Sequence, residues 1–224
     1  MCTVSFIANK QGYVLTSNRD EAPGRATGTP EWWTPSGGVP FKAPVDLEKK
    51  GTWIAAGEDG RSACLLNGAF EKHRRVLPYT HSRGALIPLA FEATNFRTFY
   101  DTIDLKGFEP FTLILVDELL QVIRWDGKRR VLEFLSKERS HLWSSATLYS
   151  AEVHSGKLRK FEAFLQEHPQ PGPDELLKLH GVKHPNDFIL RRNEVRTVSI
   201  TQVVSHGDGS TMQYLQPSYL FNTL

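Results

Sequence analysis

The chain opens in a period of two. In CTVSFIA (2–8) Val4 and Phe6 alternate with Thr3 and Ser5, then NKQG (9–12) turns the chain into YVLTSN (13–18), which predicts a first hairpin. TWIAAG (52–57) and RSACLLN (61–67) flank EDG (58–60), whose Asp-Gly is a hairpin turn signal. Between these pairs, residues 22–50 are rich in Pro and Gly and read as one long loop. It carries EWW (31–33), which either covers a pocket or packs as a flap. GALIPLAFEATNFRTFYDTI (84–103) reads as a helix with Pro88 in an early turn. FTLILVD (111–117), LQVIRW (120–125) and RVLEFL (130–135) read as strands, the last two joined across Asp126-Gly127. AEVHSGKLRKFEAFLQEH (151–168) is an amphipathic helix stopped by PQPGP, and PDELLKLHG (173–181) is a short one with Pro at its start and Gly at its end. TVSITQVV (197–204), HGDGS (206–210) and TMQYLQ (211–216) form a last hairpin pattern, with HGDGS a turn because no helix follows it. Hairpins, helices and hairpins in that order predict an α+β layered fold, and no boundary divides residues 1–224 into two domains.

Composition narrows the function classes. A chain of 224 residues buries enough surface to need no disulfide or metal staple. Its two cysteines, Cys2 and Cys64, form no framework and no CxxC; Cys64, inside an apolar strand pattern, reads as a small core residue. That usage fits a reducing compartment. The start lacks the pattern of a signal peptide and no apolar run is long enough to span a bilayer, so the expectation is a cytoplasmic protein without an integral membrane segment. A net charge of +2 with basic clusters scattered along the chain argues against a nucleic-acid partner. None of the eight histidines falls in a metal-ligand spacing, so no metal is expected. His81, just before RGAL, is the best placed of them for a pocket. Trp53 reads either as a packing residue or as pocket lining. There is no CxxCH, no Cys-Pro haem-regulatory motif and no nucleotide loop, and no cofactor is expected.

One cysteine stands out by place. Cys2 is small enough for Met1 to be removed ahead of it, which leaves a thiol and an α-amine on the same carbon. Both groups titrate near neutrality, at about 8.5 and 7.7–8.0. If the first two strands pair, the far end of the second brings TSNRDE (16–21) back to the N-terminus. Arg19 can then lower the thiol pKa and Asp20 can orient the amine, with Asn18 and Glu21 as substrate contacts. The other reading of NRDE is a surface turn held by a salt bridge.

MC at the start, NRDE (18–21) and GTWIA (51–55), followed in order by LLNG (65–68), RGAL (83–86), FTLILVD and RTVSI (196–200), resemble the NRDE family, the transport and Golgi organisation protein 2-like proteins. That family is similar to the cysteine branch of the N-terminal nucleophile hydrolases, which includes penicillin V acylase and bile salt hydrolase. The resemblance implies a four-layer αββα sandwich of two antiparallel sheets flanked by helices. It implies catalytic roles for Cys2, Arg19 and Asp20, an oxyanion-hole role for Asn67, and a place in the polar set for Arg196. Ser145, in LWSSATL, stands where the family shows Asn and is carried over as a substrate contact. The implied activity is cleavage or transfer of a small amide acyl group. The alternative on the same scaffold is non-catalytic handling of a hydrophobic ligand such as haem, a lipid or an acyl-CoA. The sequence gives no oligomeric state.

Overall fold

The computed structural model describes residues 3–206 and 209–216, so Cys2 lies outside the described residues. In chain order the strands and helices are β1 (Thr3–Asn9), β2 (Gly12–Glu21), β3 (Thr27–Trp33), β4 (Phe41–Asp46), β5 (Ile54–Gly57) and β6 (Ser62–Asn67), then α1 (Leu86–Glu92) and α2 (Phe96–Thr102). They continue as β7 (Phe111–Val116), β8 (Leu120–Trp125), β9 (Arg130–Leu135), β10 (His141–Ser144), α3 (Ala151–Glu167), α4 (Pro173–Leu179), β11 (Arg196–Ser205) and β12 (Ser210–Leu215). One sheet has the order β10-β1-β2-β11-β12; the other is a seven-stranded meander from β3 to β9. Every strand pairing is antiparallel.

The two sheets face each other. Val4 and Phe6 of β1, Tyr13 and Leu15 of β2, and Val203 of β11 pack against Ile54, Cys64, Ile114 and Val122 of the meander. The opposite residues of the same strands, Ile7 and Val14, face Phe161 of α3 and Leu176 of α4. On the far side of the meander, Ala55, Leu65 and Leu113 pack under Leu86, Phe91, Phe96 and Phe99. The alternation read in the sequence therefore separates an inter-sheet core from two sheet–helix cores, which makes the αββα sandwich. Full burial of a Phe or Leu side chain is worth about 1.5–3 kcal/mol, so each of the three interfaces is held by many such increments. Cys64 sits in the inter-sheet core, wholly buried.

Three elements depart from expectation. The stretch 22–50 is not a single loop: it holds β3 and β4. Pro30 and Pro44 fall where their pairing shifts register, between Gly28 and Glu31, and β3 is an edge strand, which is where a strand tolerates proline. Nor is 84–103 one helix, because Ala93 is extended and the Asn95 side chain accepts the Thr98 N–H at 2.8 Å, starting α2 afresh. The four-residue strand β10 pairs with the beginning of β1, matching Ser144 with Thr3. Among the described residues no helix is long and apolar enough to cross a membrane.

Candidate functional site

β2 carries the NRDE residues in the middle of its sheet, between β1 and β11. Asn18, Arg19 and Asp20 are buried and only Glu21 is partly open, so the motif is strand interior rather than a surface turn. Strand alternation sends neighbours to opposite faces. Arg19 points between the sheets, whereas Asn18 and Asp20 point towards the helices.

The Arg19 side chain is fully buried. Its Nη2 donates to Asp46 Oδ2 at 2.8 Å, and the guanidinium lies 4.5 Å from the centre of the Trp53 ring. Asp46 closes β4 and accepts the Glu48 and Lys49 backbone N–H groups on Oδ1. Arg25 Nε is 2.8 Å from the same Oδ2, an ion pair without hydrogen-bond alignment. Burial pushes the Asp46 carboxyl up, but the Lys49 N–H and the two guanidinium groups outweigh it and hold the pKa below the usual carboxylate value. Arg19 Nε and Nη1 and Trp53 Nε1 are buried without an acceptor. Buried donors are satisfied in the great majority of cases, so three together make this strand end the candidate site.

On the helix face, Asp20 accepts two hydroxyls at 2.6 Å, from Tyr149 on Oδ2 and from Thr197 on Oδ1. The Asn18 amide nitrogen donates to the carbonyls of His180 and Phe188, leaving Oδ1 to face His180 Nδ1 at 2.5 Å. His180 Nδ1 therefore carries the proton, and Nε2, 2.7 Å from Ser5 Oγ, accepts from that hydroxyl. Complete burial, with the charge of Lys157 adding to it, pushes the His180 pKa down to about 3.

This histidine makes stability depend on pH. Between its unfolded pKa of about 6.5 and the folded value of about 3, the unfolded chain binds the extra proton and the native state does not. Its contribution is complete above pH 6.5 and declines by about 1.4 kcal/mol per pH unit as the pH falls through that window. Urea midpoints between pH 7 and pH 5 should drop steeply in the wild type and more shallowly in His180→Gln; parallel slopes would refute the assignment.

The remaining candidates gather near the same strand end. Arg196 begins β11 opposite Glu21, and its Nε is buried without an acceptor. Asn67 ends β6; its Oδ1 is buried without a donor, and its backbone carbonyl accepts the Ser145 hydroxyl at 2.8 Å. Ser145 Oγ also lies 2.9 Å from Thr147 Oγ1. A cavity of about 710 Å³ opens here, and Asp20, Glu21, Trp53, Asn67 and His81 are on its wall. Asn18, Arg19, Arg196 and Ser145 are not part of that lining. The His81 ring stacks on Phe108, with centroids 4.9 Å apart. Cations prevail around the cavity: Arg25, Lys49, Lys72, Arg75 and Arg83 face Asp20, Glu21, Asp46 and Glu109, with Arg19 behind. Glu109 alone receives Arg75, Arg83 and His73 within 3.2 Å. Burial pulls the Arg83 pKa down, against the pull of Glu109.

Several of these residues carried no sequence signal. Asp46 and Thr197 meet the NRDE residues only through sheet packing. Lys157 was legible: with His154 and Phe161 it forms one stripe of α3, on the face that turns inward. It is only 3% exposed; its Nζ donates to Thr3 Oγ1 at 2.6 Å and lies 3.7 Å from the centre of the Tyr149 ring. Among the described residues no cluster of His, Cys, Asp and Glu could hold a metal ion.

A family model described as Transport and Golgi organisation 2 matches residues 1–205. The chain belongs to that family. No curated protein matches it in sequence. Among solved structures it is similar to the N-acylethanolamine-hydrolyzing acid amidase orthologue of Caenorhabditis elegans (TM-score 0.63, 12% identity), covering 95% of this chain and 100% of that one. It is similar to a C2A mutant of the conjugated bile acid hydrolase of Clostridium perfringens (TM-score 0.63, 7% identity, 96% and 92% covered). It is also similar to penicillin V acylase from Agrobacterium tumefaciens (TM-score 0.59, 11% identity, 96% and 86% covered). At these identities the likeness establishes a shared fold and nothing about activity or substrate.

Proposed function

We propose that the protein is a cysteine amidohydrolase or acyltransferase with Cys2 as N-terminal nucleophile, acting on a small acyl amide. The observation that carries this reading is the set of buried, unpartnered polar atoms of Arg19, Trp53, Asn67 and Arg196 at one strand end beside a cavity. β1 enters the described structure at that end, with Thr3 paired to Asn18. Cys2 precedes Thr3 by one peptide bond.

In this reading the Cys2 sulfur bonds to the amide carbonyl carbon while its α-amine takes the thiol proton. The Asn67 amide N–H receives the oxyanion. When the C–N bond breaks, the proton passes from the α-amine to the leaving amine, and an acyl thioester remains. Water then attacks the thioester, the α-amine takes its proton, and a carboxylic acid is released with the thiol restored. Arg19 favours the thiolate by its charge. Asp20, fixed by two hydroxyls, is a positioning group.

A second reading has one observation in its favour. Ser145 spends its hydroxyl on the Asn67 carbonyl and lines no part of the first cavity, so it supplies no second donor there. A site short of one oxyanion donor suits a protein that holds haem, a lipid or an acyl-CoA without turning it over. Peptide mass mapping after a short exposure to p-nitrophenyl octanoate separates the two. The enzyme reading expects Met1 absent and an octanoyl group on Cys2 that later hydrolyses. Retained Met1, or no acylation in protein that binds octanoate, rejects it in favour of the carrier.

A further inference from the structure

We infer that Lys157 of α3 is a positioning residue that keeps the N-terminal α-amine of Cys2 in its neutral, proton-accepting form. The inference rests on the Cys2 nucleophile reading. Lys157 is buried, and its side chain reaches from the helix to the first residue of β1, where Nζ donates to Thr3 Oγ1 at 2.6 Å. The ammonium lies over the Tyr149 ring, 3.7 Å from its centre, a contact that favours the charged form. Tyr149 in turn donates its hydroxyl to Asp20 Oδ2. One tyrosine thus holds the ammonium on its face and the Asp20 carboxylate at its tip, both on the helix side of the sheet.

Connectivity ties this charge to the reacting end of the chain. From Lys157 Nζ through Thr3 Oγ1 to the α-nitrogen of Cys2, the hydrogen bond and the covalent bonds together span about 10 Å at full stretch. A like charge disfavours protonation. At that separation, and with the dielectric effective near a protein surface, one ammonium lowers the pKa of another by about one pH unit, and by more when closer. The amine takes the thiol proton only when it is itself unprotonated, so the shift enlarges the competent fraction near neutral pH. The other charges at this strand end are Arg19, Asp20 and Glu21 of β2 and Arg196 of β11. The carboxylates act against Lys157 and the arginines act with it. On the helix side, His154 and His180 also feel Lys157: burial, with that charge adding to it, pushes both pKa values down, His180 to about 3. Both histidines are largely uncharged at pH 7, which leaves Lys157 to supply the positive charge there.

The test compares the wild type with Lys157→Met and Lys157→Arg. In protein labelled with nitrogen-15 cysteine, the α-nitrogen shift of Cys2 is titrated, with Cys64 giving the one other signal. Acylation by p-nitrophenyl octanoate is followed from pH 6 to pH 9. The amine titration should rise by about one pH unit in Lys157→Met and stay in place in Lys157→Arg. The acid limb of acylation should move with it, slowing the reaction about tenfold at pH 6 and little at pH 9. Equal slowing at every pH with an unmoved amine titration would make Lys157 a packing residue and overturn the inference. The same shift in Lys157→Arg would overturn it too. A shifted amine titration in protein that forms no acyl-enzyme would keep the role of Lys157 and reject the hydrolase. Acylation with a pH profile indifferent to Lys157 would do the opposite, and Met1 retained ahead of Cys2 would reject both. Lys157→Gln, which keeps a donor for Thr3 Oγ1, repeats the comparison if the Met variant does not fold.

Discussion

Arg19→Met should lower the stability of the protein by about 3 kcal/mol, read as a fall in the urea midpoint at pH 7 with an unchanged m-value. Removing one partner of a buried ion pair costs about 3–5 kcal/mol because the other charge is left in a poor solvent. Here Asp46 keeps Arg25 and two backbone N–H groups, which places the loss at the lower end. The stack on Trp53 is lost as well, and a desolvated cation–π contact is worth about 2 kcal/mol, partly offset by the apolar Met stem. Arg19→Lys keeps the charge but not the planar fork, and should recover only part of the difference. A loss below about 1 kcal/mol would mean that the guanidinium contributes no more than an exposed ion pair.

Asn67→Ala should slow acylation of Cys2 by p-nitrophenyl octanoate about 100- to 1,000-fold, the usual effect of deleting an oxyanion donor. Alkylation of Cys2 by iodoacetamide should stay at the wild-type rate, because displacement at a saturated carbon develops no oxyanion. Ser145→Ala should give a smaller loss of the same kind, since Ser145 anchors the Asn67 carbonyl and not its amide. Equal slowing of both reactions would place Asn67 in the support of the thiol and remove it from the oxyanion hole.

How far the fold could be read depended on whether its signals were local. β7, β8 and β9 were readable to within a residue, since each alternation is short, uninterrupted and bounded by turn residues. α3 and α4 were equally plain from their stripe and their proline and glycine stops. β3 and β4 were hidden by prolines that a bulged edge pairing accommodates, a fact visible only once the partner strand is known. β10 is four residues long and gains its identity from β1. The site divides the same way. NRDE could be placed at a strand end from antiparallel pairing alone. That Arg19 would meet Asp46, and Asp20 would meet Tyr149 and Thr197, could not, because these partners are 27, 129 and 177 residues away along the chain. Nothing local to His180 signalled its place at the centre of a buried relay from Asn18 to Ser5.

Gly51, in the GTW motif, meets Gly84 backbone to backbone: a Cβ on Gly51 would come within 2.8 Å of the Gly84 main chain, while the Thr52 N–H donates to the Gly84 carbonyl at 3.2 Å. Everything between them is thereby tied off at its base like a drawstring. Within that closed length, residues 72–82 supply a wall of the cavity, including Lys72, His73 and Arg75. Such a segment can be lengthened, shortened or exchanged while the ends stay where the glycines hold them. Ligand preference can then diverge, by descent or by design, as a cassette swap that leaves the strand end carrying Arg19, Trp53 and Asn67 in place.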